Sequence, residues 1–202
     1  MKRHILLLLF GGVFLSSSLA QEIELTGFGG YMLNTDLKTY YGDFKLDNNL
    51  NYGGVLGLGL APDLFVELTY MRQDTKVQYY YQNANEPLKM STEYYHLGTQ
   101  KAMGTGNVKP FGVFSLGATR FHLKESYGNA YEYAEWAMSF ALGIGTKILV
   151  SEKLGFRLQA RMGVPMIFNE LWVGTADSRD SFLIPLWQFD FSAGLVLRLG
   201  SR

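Results

Sequence analysis

The 202-residue chain has no cysteine and only 5 prolines. Without a thiol there is no disulfide framework, no cysteine-ligated zinc and no thiol nucleophile. Charge of one sign is also missing: 18 Lys and Arg balance 18 Asp and Glu. That balance excludes the basic footprint of a nucleic-acid-binding surface, so nucleic acid is not an expected partner. Histidine is scarce, with His4, His96 and His122 dispersed and without metal-ligand spacing. No metal and no cofactor is expected. No run of 18 consecutive apolar residues occurs, so no spanning helix is expected. What is present is apolar and aromatic weight, 48% hydrophobic and 15% aromatic with 23 glycines, too much for a disordered chain.

Residues 1–20 read as a secretory signal. Lys2 and Arg3 form the positive n-region. Ile5 to Phe10, continuing through Val13 to Leu15, form the apolar h-region, and Ser18-Leu19-Ala20 fits a small-x-small cleavage site. Residues 21–202 are then expected as one domain. An exported, apolar chain without a spanning helix leaves two classes: a soluble periplasmic β protein or a membrane barrel.

The dominant period is two. In 154–166, Leu154, Phe156, Leu158, Ala160 and Met162 share one face, opposite Arg157, Gln159 and Arg161. In 136–148, Trp136, Met138, Phe140, Leu142 and Ile144 oppose Ser139, Gly143, Gly145 and Lys147. The runs 50–60 and 189–199 alternate in the same way, and weaker runs lie at about 22–33, 64–75, 91–103 and 109–122. In 91–103 and 109–122 the facing is ambiguous, although His96 and Gln100 suggest that even positions of the former point to the polar side. Short links at 61–63, 104–108 and 151–153 alternate with long ones near 34–48, 76–90, 123–135 and 167–186. This rhythm predicts an all-β, eight-stranded antiparallel up-and-down barrel with its long loops at one end.

Side-chain size decides which face points inward. Eight strands enclose a space that side chains just fill. The bulky face would crowd it, whereas Gly, Ser and a few charges fit. The prediction is therefore a transmembrane β-barrel, apolar outside. Its interior is expected to hold an ionic network of Glu24, Glu67, Lys147, Arg157, Arg161, Asp190 and Arg198, because buried charges need partners. Closure of the barrel predicts Glu24 and Arg198 as neighbours. An aromatic girdle is expected at the long-loop end from Tyr31, Tyr70, Tyr79, Tyr94, Phe121, Trp136, Phe168 and Trp187, with Phe65, Phe111 and Phe156 at the turn end.

Three segments resemble the eight-stranded outer-membrane β-barrel superfamily, which includes the OmpA transmembrane domain and OmpX-like proteins. They are Lys109-Pro-Phe-Gly-Val-Phe-Ser-Leu-Gly-Ala, Phe140-Ala-Leu-Gly-Ile-Gly-Thr-Lys and Leu154-Gly-Phe-Arg-Leu-Gln-Ala-Arg. The resemblance implies an integral protein of a Gram-negative outer membrane, surrounded by membrane lipid and lipopolysaccharide.

The residues point to a non-enzymatic, monomeric barrel with a structural or surface-interaction role. Loop 76–90 with Tyr79, Tyr80 and Tyr81, and loop 123–135 with Tyr127, Tyr131 and Tyr133, suit protein or glycan partners. Three alternatives stay open: a narrow porin-like channel, a lipid-modifying enzyme and a soluble ligand-binding barrel. Against the second, His96 and His122 are followed by Leu-Gly and Leu-Lys rather than by the His-x-Ser of lipid A deacylases.

Overall fold

The computed structural model describes residues 22–35, 37–39, 42–79, 88–124, 132–167 and 184–200. The signal segment expected at 1–20 lies outside them. The strands in chain order are β1 Ile23–Asn34, β2 Leu37–Thr39, β3 Gly42–Leu46, β4 Asn49–Ala61, β5 Leu64–Tyr79, β6 Leu88–Ala102, β7 Val108–Lys124, β8 Glu132–Leu149, β9 Leu154–Ile167, β10 Ile184–Pro185 and β11 Gln188–Leu199.

The eight long strands pair antiparallel in the cyclic order β1, β4, β5, β6, β7, β8, β9, β11 and back to β1. Closure leaves the barrel wall without a free edge. Three links between long strands are short, and they lie at the same end as Ile23 and Leu199. Above the top of β4, β3 takes over the pairing with β5, and β2 pairs in turn with β3. At the same end β10 pairs with β9.

In two of the long links expected from the sequence, strand extends into both ends of the link. β5 and β6 remain paired up to Val77 opposite Leu88, and β7 and β8 up to Lys124 opposite Glu132. Thr75-Lys76-Val77-Gln78-Tyr79 keeps a β-favouring, alternating pattern, so the ladder continues past the expected end. Strands β5 to β8 thus run 15 to 18 residues, against 12 to 14 for β1, β4, β9 and β11. The wall is taller on one side.

The register fixes the barrel's shape. Paired residues lead from Ile23 through Leu58, Val66, Thr99, Phe114, Leu142, Met162 and Phe189 back to β1 at Leu33, ten residues further along. With strands about 4.8 Å apart and about 3.3 Å per residue, this stagger implies a tilt of about 40° and a radius of about 8 Å. Side chains can close such an interior.

The two faces are inverted relative to a water-soluble protein. Ile144 is 71% exposed, Met138 66% and Leu97 60%, whereas Glu24, Glu67, Lys147 and Arg157 are all at 4% or less. An apolar wall of this extent around a polar interior is the surface of a transmembrane β-barrel.

Candidate functional site

The inward side chains form three layers. The lowest lies near the short turns and is charged. Arg157 on β9 donates two hydrogen bonds to Glu67 on β5, at 2.6 and 3.0 Å, and another from Nε to Gln159 at 2.9 Å. Lys147 on β8 donates to Glu24 on β1. Arg198, directly opposite Glu24 across the closing seam, approaches it at 3.4 Å and also bonds Glu22. The rings of Phe65 and Phe111 complete the layer: Lys147 Nζ lies 4.5 Å from the first ring centre, and the Arg157 guanidinium 4.6 Å from the second. These cation–π contacts and paired carboxylates replace the water that the buried cations have lost. Glycines make the space, since a Cβ on Gly145 would fall on the Phe111 ring.

The middle layer is polar. Arg161 lies 3.7 Å from Asp190 on the neighbouring strand and reaches the Met71 sulfur on the opposite wall. Asn51 and Ser192 donate to Asp190. His96 bridges two hydroxyls, with Nδ1 3.2 Å from Ser115 Oγ and Nε2 2.7 Å from Ser139 Oγ. Thr119 donates to the same Ser139 at 2.8 Å. Above this group Tyr94 donates to Gln188 across the barrel, and Gln188 donates to Asn34 at 2.6 Å. The top layer is apolar, with Leu46, Met90, Phe121, Ala137 and Leu186 packed into one cluster and Leu123 against it.

All seven sequence-predicted ionic residues face inward. Six are buried and Arg198 is half-buried at the short-turn end. Five of them, Glu24, Glu67, Lys147, Arg157 and Arg198, stand in the lowest layer, and Arg161 with Asp190 in the middle one. Sequence reasoning missed the aromatic and apolar share of the interior, and also Met71 and Gln188. Their signal was parity. Tyr94 shares the even positions of β6 with His96 and Gln100.

The girdle needs correcting. Tyr31, Tyr70, Trp136 and Trp187 are exposed on the outer wall, joined there by Tyr52, Tyr95, Phe189 and Phe191. Tyr94 and Phe121, expected among them, are 2% and 8% exposed inside the barrel. Phe65 and Phe111, expected in the turn-end ring, are likewise inside, while Phe156 is outside. The physical reason is that small inward neighbours leave holes in an interior of this radius, and an aromatic ring fills a hole that Ser or Gly cannot. Phe168 and the Tyr79 side chain lie outside the described residues.

Above the outer aromatics the wall turns charged. Arg72 on β5 bonds Asp74 at 2.7 Å and Glu93 on β6 at 2.9 Å, and Arg120 on β7 lies 3.6 Å from Glu93. The Tyr95 hydroxyl donates to Glu93 at 3.1 Å, and the Arg120 guanidinium sits 5.9 Å from the Trp136 ring centre. Aromatics capped by paired charges are the pattern expected where hydrocarbon gives way to headgroups.

No family model and no curated protein matches the sequence. Solved structures do match the fold. Neisserial surface protein A (NspA) aligns with a TM-score of 0.59 at 11% identity, covering 87% of this chain and 96% of its own. The outer membrane protein OprG of Pseudomonas aeruginosa gives 0.55 at 12% identity, covering 90% and 97%. The outer membrane protein AlkL gives 0.51 at 13% identity, covering 90% and 92%. The chain therefore has the fold of the eight-stranded outer-membrane barrels.

Proposed function

We propose that the chain is an integral outer-membrane protein whose barrel is a plugged anchor and whose working surface is the tall rim of β5 to β8 with the loops it carries. The observation that supports this reading is the stacking of three different obstructions in one lumen: a charged layer tied wall to wall by Arg157 and Glu67, a polar layer tied by Tyr94 and Gln188, and an apolar lid around Phe121. A solute path would have to break all three. An apolar exterior speaks against a soluble ligand-binding barrel. The rim, where tyrosines stand among paired charges, suits contacts with surface proteins or glycans.

Two measurements on the full-length protein test this. In cell fractions it is expected in the outer membrane, migrating faster on detergent gels before boiling than after. In planar bilayers the reconstituted protein is expected to give no steady conductance. Release with the soluble periplasm overturns the anchor; regular single-channel steps overturn the plug and favour a channel.

A further inference from the structure

The tall side of the barrel carries two lysines without an ion pair among the described residues. Lys76 on β5 and Lys89 on β6 stand directly opposite each other, both on the outward face and both exposed. Lys124 on β7 is the next residue in the same register row, and Glu132 on β8 stands opposite Lys124. Directly opposed like charges destabilise a strand pair. Yet among the described residues neither Lys76 nor Lys89 has an ion pair, and the nearby Asp74 is engaged by Arg72 through two nitrogens, at 2.7 and 3.1 Å. The two lysines line a groove of about 360 Å³ together with Arg72, Asp74, Ser91 and His122. The notch lies where β5 exchanges β4 for β3 as its partner. There Asn49 holds the Asp74 carbonyl at 2.6 Å and the Asp47 amide holds that of Lys76 at 3.0 Å.

Position identifies the occupant. Lys76 lies six residues beyond the girdle residue Tyr70 on the same strand, about 15 Å along the barrel axis at the tilt derived above. It is thus above the hydrocarbon but still on the wall that faces neighbouring lipids. We propose that Lys76 and Lys89 form a phosphate-binding site for the phosphorylated headgroup of an outer-leaflet glycolipid, which supplies the anion that the strand pair lacks. This rests on the membrane reading above. Arg72 and Arg120, lower on the wall, already have carboxylates, so among the described residues of this wall the lysine pair is what is left to hold an anion.

The test uses full-length protein reconstituted in phosphatidylcholine vesicles doped with bisphosphorylated lipid A or with the same lipid after dephosphorylation. Lipid retained by the repurified protein is quantified by mass spectrometry. Wild type is expected to retain the phosphorylated form preferentially, and Lys76→Gln or Lys89→Gln to lower that retention about fivefold each. Lys89→Glu creates an opposite-charge pair with Lys76, so it favours folding while it abolishes the preference. Lys101→Gln, on the outer wall near the short turns, leaves retention unchanged. Equal retention of both lipids by wild type, or a Lys89→Glu variant that still prefers phosphate, overturns the site. Full displacement by millimolar inorganic phosphate, or by a soluble sulfated glycan, assigns it to a soluble anion instead of lipid. An unboiled-gel shift on each sample reports separately on the barrel, so failure of the membrane reading is distinguishable from failure of the site.

Discussion

Arg157 on β9 and Glu67 on β5 stand on diametrically opposite walls, four strands apart in either direction, and meet as a bidentate pair at 2.6 and 3.0 Å. Adjacent strands are already held by their ladder. A link across the diameter instead fixes the cross-section against flattening and occupies the axis where a solute would pass.

That geometry gives the first prediction. Both side chains are at 4% exposure or less, so neutralising one strands the other in a dry interior. Glu67→Gln is expected to cost about 3–5 kcal/mol of unfolding free energy, read by urea titration in lipid vesicles with the unboiled-gel shift as the signal. The double variant Glu67→Leu/Arg157→Met is expected to recover most of that loss, because two matched apolar groups leave no orphan charge. A single variant as stable as wild type would mean that water reaches the pair.

The rim supplies the contrast. Glu93 keeps 10% of its own side-chain surface exposed, but its partners Arg72 and Arg120 keep 32% and 37%. Solvent screens such pairs, so Glu93→Gln is expected to cost less than about 1 kcal/mol in the same titration. If the rim substitution cost as much as Glu67→Gln, burial would not be what separates the two sites.

Much of the wall was legible because a period of two tolerates no slippage where one face is buried. Over 136–148 and 154–166 the large residues fell on one parity and Lys147, Arg157 and Arg161 on the other, so facing and topology followed together. β6 and β7 were not legible in this way. Tyr94, Phe121 and Phe111 put bulk on the same face as His96, Thr119 and Ser115. Size alone then assigns the wrong side, whereas parity with the polar neighbours assigns the right one. The ionic partners were legible as a set but not as pairs, apart from Glu24 and Arg198 at the closing seam. Which acid meets Arg157 depends on the ten-residue stagger around the whole barrel. That is a sum over eight registers, and no local segment encodes it.

Tyr94 tests the corrected facing. Its hydroxyl donates to Gln188, which is itself tied to the half-buried Asn34, and Tyr94 and Gln188 are 2% and 1% exposed. Tyr94→Phe keeps the ring and removes the hydrogen bond, leaving a buried amide oxygen without its donor. The expected cost is about 1–3 kcal/mol, whereas Tyr95→Phe, on the outer wall one residue further along, is expected to change stability by less than about 1 kcal/mol. The reverse order of costs would return Tyr94 to the girdle.

Gly145 tests the packing of the charged layer. A methyl group there would strike the Phe111 ring and the Leu158 carbonyl. The ring cannot move without losing its place against Arg157. Gly145→Ala is expected to cost about 1–3 kcal/mol through overpacking. Gly112, where an added Cβ meets nothing within 4 Å, should accept alanine with little change. Equal tolerance at both positions would show that the lower lumen has free space.

Trp136 reports where the membrane ends. Its side chain is 59% exposed on the outer wall, with its ring centre 5.6 Å from that of Tyr95 and the Arg120 guanidinium beside it. The chain has three tryptophans, so Trp172→Phe/Trp187→Phe leaves Trp136 as the sole emitter. In vesicles, lipids brominated near the headgroup are expected to quench it more than lipids brominated near the chain ends, because an interfacial indole sits at the top of the hydrocarbon. Aqueous iodide is expected to quench it less than either. Stronger quenching by iodide than by any brominated lipid would lift the rim out of the bilayer and lower the girdle to Tyr31, Tyr52 and Tyr70. The lysine pair six residues above Tyr70 would then stand too far from lipid phosphates to bind them.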